Sequence, residues 1–183
     1  MSRIAPLERP FPGFFEQAMA GIMPPGAEPL TLFRSVAASQ RAWEKFSAGS
    51  LLDKGPLPLR EREIVIDRTT ARCGCDYEWG VHVALFAERA GLTAEQVADT
   101  AAASPDPALW SEPELALLAT VDSLIERKRL DDAEYARLAA DRPQAQILEI
   151  VQLVAFYHGV ALICGALDLQ PEPGMPTLPS TGD

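Results

Sequence analysis

The chain has 183 residues, 48% of them hydrophobic, enough for one domain with its own core and no metal or disulfide staple. Acidic residues outnumber basic ones 26 to 16 for a formal charge of −10, and no basic patch with interleaved aromatics occurs. That balance argues against nucleic acid and anionic lipid as partners.

The elements follow in chain order. Residues 1–27 form an arm rich in Pro, Gly and Phe (Pro10, Phe11, Pro12, Gly13, Phe14, Phe15, then Pro24, Pro25, Gly26), too dense in proline for a long helix. Pro6, Glu8, Arg9 and Pro10 interrupt any apolar run, so the start does not read as a secretory signal. A first helix is predicted over 29–46, where Leu30, Phe33, Val36, Ala37 and Trp43 recur at three- and four-residue steps. A second starts after Pro58 and runs to Arg72, where Gly74 breaks it. A third covers 75–90 and stops at Gly91. Thr93–Gln96, Ser111–Glu114 and Asp131–Glu134 have the spacing of capping boxes and open three more. Pro143 opens the longest, to about Leu169, and residues 171–183 form an extended tail. No run alternates with period two. The expectation is therefore an all-α bundle of six to seven helices in one domain, 28–170, between the arm and the tail.

From Ile150 to Leu167 no residue carries a full charge, which is long enough for a membrane span. Gln152, Tyr157, His158 and two glycines interrupt it, and no Lys or Arg cluster flanks it closely. It reads instead as a helix buried in the core or between subunits, which implies a homo-oligomer and no membrane partner. Cys73, Cys75 and Cys164 are odd in number, with two of them one residue apart. Such a poor disulfide framework fits a reducing, cytoplasmic setting.

Chemistry concentrates between Glu63 and His82. On a helix that starts at Cys75, the side chains of Cys75, Glu78 and His82 fall within about 60° of arc. A thiol, a carboxylate and an imidazole thus share a stripe, continued by Leu85 and Arg89, while Trp79, Val83 and Phe86 face the core. A carboxylate one turn from a histidine fixes its tautomer and raises its basicity, which suits a general acid or base. Cys75 sits where a helix N-terminus favours a thiolate. Glu63 shares an apolar stripe with Leu59, Ile66 and Thr70, unlike Glu61 and Arg68, and a carboxylate there needs a partner; His82 is the economical one. Plainer readings stand beside these. A His–Glu pair four apart is common surface chemistry, Glu63 also suits the positive end of its helix, and Cys73 and Cys75 also fit as inert side chains. His158 reads as a satisfied core histidine and Cys164 as core. Cys-x-Cys with one His lacks the paired spacing of zinc sites, so no metal is expected.

Leu59-Arg60-Glu61-Arg62-Glu63-Ile64, Tyr77-Glu78-Trp79 with His82, and Ala90-Gly91-Leu92-Thr93 closely resemble the carboxymuconolactone decarboxylase family. That family shares its all-helical fold with alkyl hydroperoxidase D-like (AhpD-like) proteins. The resemblance is good over about Pro58 to Asp99. In the peroxidase branch it maps Glu63 onto a glutamate, Cys75 onto the first cysteine and His82 onto the histidine of a Cys-x-x-Cys-x-x-x-His motif. Glu78 replaces the second cysteine, the one that branch uses to attack peroxide. Cys73 is a substitute only through a strained ring. The decarboxylase branch needs neither cofactor nor cysteine. The resemblance to it implies lyase chemistry on a small lactone or related organic acid, with His82 as acid or base, Glu78 as its partner and Glu63 orienting. Tyr77, Arg72 and Arg89 are candidate substrate contacts. A peroxidase-type activity through Cys75 and Cys73, or a helical oligomer whose site has drifted, are the alternatives. Trimers or hexamers are the assembly the resemblance implies.

Overall fold

A computed structural model describes residues 2–179. The described residues form nine α-helices and one short 3-10 turn, without strands: α1 Gly13–Ile22, α2 Thr31–Val36, α3 Gln40–Ala48, α4 Leu59–Arg72, α5 Asp76–Phe86, α6 Ala94–Thr100, α7 Glu112–Arg127, α8 Asp132–Ala139 and α9 Gln144–Leu167, with the turn at Pro107–Leu109. The all-α expectation holds among the described residues. Six helices begin within a residue or two of their sequence signals, and the three capping boxes are all formed, on α6, α7 and α8.

The helix number corrects the expected six to seven, for two reasons. The arm contains a ten-residue helix, because Pro12 caps α1 and Pro24 follows its end; the prolines bracket the helix rather than break it. Its Phe15 is fully buried, edge-on to Phe11 at 5.3 Å and to Trp43 at 5.4 Å. The helix expected over 29–46 is two. Ser39 adopts an extended conformation and its side chain accepts from the Ala42 N–H at 3.3 Å, opening α3. This bend folds Trp43 back onto Phe33 at 5.6 Å.

α4 is the central helix. Every residue from Glu63 to Thr70 is buried, and α5, α6, α7 and α9 pack around it. A polar knot lies inside that packing. Arg68, fully buried, donates to both carboxylate oxygens of Asp122 on α7 at 2.8 and 2.7 Å, and to the Thr100 and Ala102 carbonyls at 2.9 and 2.6 Å. Arg68→Met is expected to destabilise the fold by roughly 2 kcal/mol, because two carbonyls lose a charged donor. Asp122 keeps Arg72 at 3.3 Å, which limits the loss. A denaturant midpoint that shifts at constant m value checks this.

Gly74, at φ +64°, turns the chain from α4 into α5. The tail returns across α5 on the side away from Glu78 and His82. Glu172 accepts from the Tyr77 hydroxyl at 2.5 Å, the Leu178 N–H donates to Asp76 at 2.8 Å, and the Pro176 carbonyl lies over Gly80. A Cβ at Gly80 would meet that carbonyl at 2.1 Å, so only glycine lets the tail pass this closely. Residues 180–183 of the expected tail lie outside the described residues. α9 is long and apolar enough, by length and composition, to cross a membrane. It lies against α4, α5, α7 and α8 and leaves Leu148, Val151 and Leu162 exposed.

Candidate active site

Three helices bring the site together. α4 supplies Glu63 and, one turn on, Asp67; α5 supplies Glu78, His82 and Phe86, with Cys75 as its N-cap; α9 supplies Tyr157 and Cys164. His82 is 2% exposed and stands between two carboxylates. Its Nδ1 is 2.8 Å from Glu63 Oε2, and its Nε2 is 3.5 Å from Glu78 Oε1. The ring is held edge-on to Tyr157 at 5.0 Å and lies over Phe86 at 5.2 Å. Glu63 is itself fixed, since Arg62 Nε donates to its other oxygen at 3.0 Å. Guanidinium, carboxylate, imidazole and carboxylate therefore alternate along one line.

The electrostatics follow from that line. Burial alone would strip the proton from His82, but hydrogen bonds to Glu63 and Glu78 and the charges of both outweigh it and lift its pKa to about 10. At neutral pH it is an imidazolium, an acid rather than a base. Asp67 is buried with neither oxygen hydrogen-bonded. Burial pushes its pKa well up, the nearby His82 opposes this and Glu63 adds to it. Cys75 goes the other way: a hydrogen bond from the Cys164 thiol lowers its pKa, burial raises it, and the Glu78 N–H lowers it again, leaving it below the ordinary thiol value. The same contact with Cys75, followed by burial, pushes Cys164 up. Cys73 is raised chiefly by burial.

Of the residues singled out from the sequence, Glu63, Cys75, Glu78 and His82 converge. Three others do not. Arg72 points to Asp122 and Glu126 on α7. The Tyr77 hydroxyl accepts from the Leu32 N–H at 2.9 Å on the opposite side of α5. Arg89 is exposed and covers the outer ring of Phe86 at 5.6 Å. The cation beside the cluster is Arg62, which also lies 5.8 Å from the Phe86 ring. Phe86 is a wall of the site rather than core. Asp67 was legible as Glu63 plus one turn, and Cys164 carried a signal in its spacing from Tyr157. Among the described residues no group of three or more His, Cys, Asp or Glu side chains is arranged to hold a metal ion. An apolar groove of about 850 Å³ runs between α2, α3 and α9, and a smaller hollow of about 300 Å³ lies along α7. Neither is lined by the cluster.

Fold and site together define an all-helical protein of AhpD-like fold with a buried carboxylate–imidazole–thiol cluster. Residues 37–122, which include Glu63, Cys75, Glu78 and His82, match the carboxymuconolactone decarboxylase family. Two solved structures share the fold. One is an uncharacterized peroxidase-related protein from Silicibacter sp. TM1040, 16% identical, with a TM-score of 0.77 over 96% of this chain and 97% of that one. The other is a protein of unknown function from Agrobacterium tumefaciens, provisionally assigned as antioxidant defence protein AhpD. It is 20% identical, with a TM-score of 0.64 over 75% of this chain and 94% of that one. No curated protein matches the sequence.

Proposed function

We propose that the chain is a cofactor-free acid–base enzyme that decarboxylates a small lactone or related organic acid. The observation that carries this reading is the His82 ring, buried and fixed between Glu63 and Glu78 inside the fold. Loss of carbon dioxide from an acid whose carboxylate sits beside a carbonyl or its vinylogue leaves a carbanion delocalised onto that oxygen. His82 delivers a proton to carbon, Glu78 relays a replacement proton to it from solvent, and Glu63 keeps the ring in place. Cys75 and Glu78, at 7% exposure, are less buried than His82 and Glu63, so substrate arrives from their side, while Arg62 at the far end of the line holds Glu63. The test is carbon dioxide release from carboxylated γ-lactones in D2O, with one deuterium appearing on the product carbon. Activity is expected to survive Cys75→Ser and to be lost in His82→Gln; no turnover of any such acid overturns the reading.

A second reading is oxidation of Cys75 by a peroxide, favoured by the lowered thiol pKa at the start of α5. The protein is also proposed to assemble as a trimer or hexamer through α9, where Leu148 and Leu162 are each 64% exposed on one apolar face. Leu162→Glu is expected to convert the oligomer to monomer by light scattering. A parent protein that is monodisperse and monomeric contradicts this.

A further inference from the structure

The Cys-x-x-Cys pattern fails at Glu78, yet Cys75 does not lack a partner. Cys75 caps α5 and Cys164 lies in the last two turns of α9; both are free, and both are buried, at 7% and 3% exposure. Helix register shows why they meet. The His82 ring packs edge-on against Tyr157 at 5.0 Å, which fixes one point where α5 faces α9. Cys75 is seven residues before His82, and Cys164 is seven after Tyr157. Seven residues are two turns, about 10 Å, along either helix. In an antiparallel pair the two displacements coincide, so Cys75 and Cys164 face each other two turns from the first contact. The two thiols are close enough there for each to shift the other's titration, Cys75 down and Cys164 up. Facing Cα atoms of helices packed in contact come within roughly 4–6 Å, the span a disulfide requires. Cys73 offers nothing comparable: with one residue between them, Cys73 and Cys75 close only a small strained ring.

We propose that Cys75 and Cys164 form a dithiol that closes reversibly to a disulfide between α5 and α9, taking the place of the missing second cysteine. The inference rests on the second reading, oxidation of Cys75 by a peroxide. Cys75 sulfur attacks the terminal oxygen of a hydroperoxide: an S–O bond forms, the O–O bond breaks, and the alcohol leaves with a proton that His82 supplies through Glu78. Cys75 is then a sulfenic acid. Cys164 sulfur attacks it, an S–S bond forms, the S–O bond breaks, and hydroxide leaves as water with the proton of the Cys164 thiol. His82 is reprotonated from solvent. The peroxide gains two electrons and the dithiol loses two; an external small dithiol returns them by exchange.

Two oxidants separate the pair from the peroxide chemistry. The full-length reduced protein is treated with limiting hydrogen peroxide or, in parallel, with diamide, and its thiols are counted and mapped by non-reducing peptide analysis. Both oxidants are expected to remove two thiols per equivalent and to link the peptide of Cys75 to that of Cys164, in the parent and in Cys73→Ser alike. Dithiothreitol is expected to reverse the link. In Cys164→Ala, peroxide is expected to leave a dimedone-reactive sulfenic acid on Cys75. A link that forms with diamide but not with peroxide supports the pair and removes the second reading. A Cys73–Cys75 link, a link between chains, or three thiols untouched by diamide overturns the proposal. The parent map needs no variant, so a Cys164→Ala protein that fails to fold leaves the test intact.

Discussion

His82→Gln is expected to lower kcat/KM for decarboxylation by at least about 100-fold, the usual worth of a positioned general acid. The parent profile is expected to stay level through neutral pH and to fall above pH 9, with an apparent pKa near 10, because the falling limb is His82 losing its proton. A histidine acting as base would give the opposite slope, with activity appearing as the proton leaves. A rising limb near pH 10, or full turnover by His82→Gln, would remove the acid role. Stability is linked to the same proton. The folded pKa lies above the unfolded value of about 6.5, so the contribution is complete below about pH 6.5 and is lost as pH rises toward 10. Tm is therefore expected to drop across that window in the parent and to drop less in His82→Gln.

Much of this was legible from local signals. Capping boxes at Thr93, Ser111 and Asp131 and prolines at 58 and 143 fixed helix starts, because they are satisfied by the next few residues alone. Glu63 and His82 were paired on the argument that a carboxylate on an apolar stripe needs a partner, and they lie 2.8 Å apart. The placements that local signals do not reach share a cause. Assigning Arg72, Tyr77 and Arg89 to the site required knowing what α7, the tail and the outer surface offered them, and those neighbours are 45 to 95 residues away or solvent. Reading Cys164 as plain core had the same origin: its meaning depends on the register of α9 against α5, which no single helix encodes. Asp67 carries one signal, its place a turn after Glu63 on the same buried stripe, which is weaker than a named partner.

Glu63→Gln tests how the site holds its charge. Burial works against a proton on His82, and the Glu63 bond, from the partner closest to the ring, is the strongest influence holding it there. The substituted amide preserves the shape of the side chain and offers a neutral oxygen. With only Glu78 at 3.5 Å left as a charged neighbour, the His82 pKa is expected to fall from about 10 toward or below the ordinary imidazole range. The falling limb of the activity profile should move down with it, so that turnover at pH 8 drops steeply while turnover at pH 6 recovers part of the parent rate. A purely structural role for Glu63 predicts lower activity at every pH with the limb still near 10. Removing one partner of a buried ion pair also costs stability, roughly 3–5 kcal/mol if His82 stays charged and less if it sheds its proton. The two effects are therefore coupled. The more the limb moves, the smaller the stability loss should be, and a Glu63→Gln protein that shows a full loss together with an unmoved limb would place the essential charge of the site elsewhere.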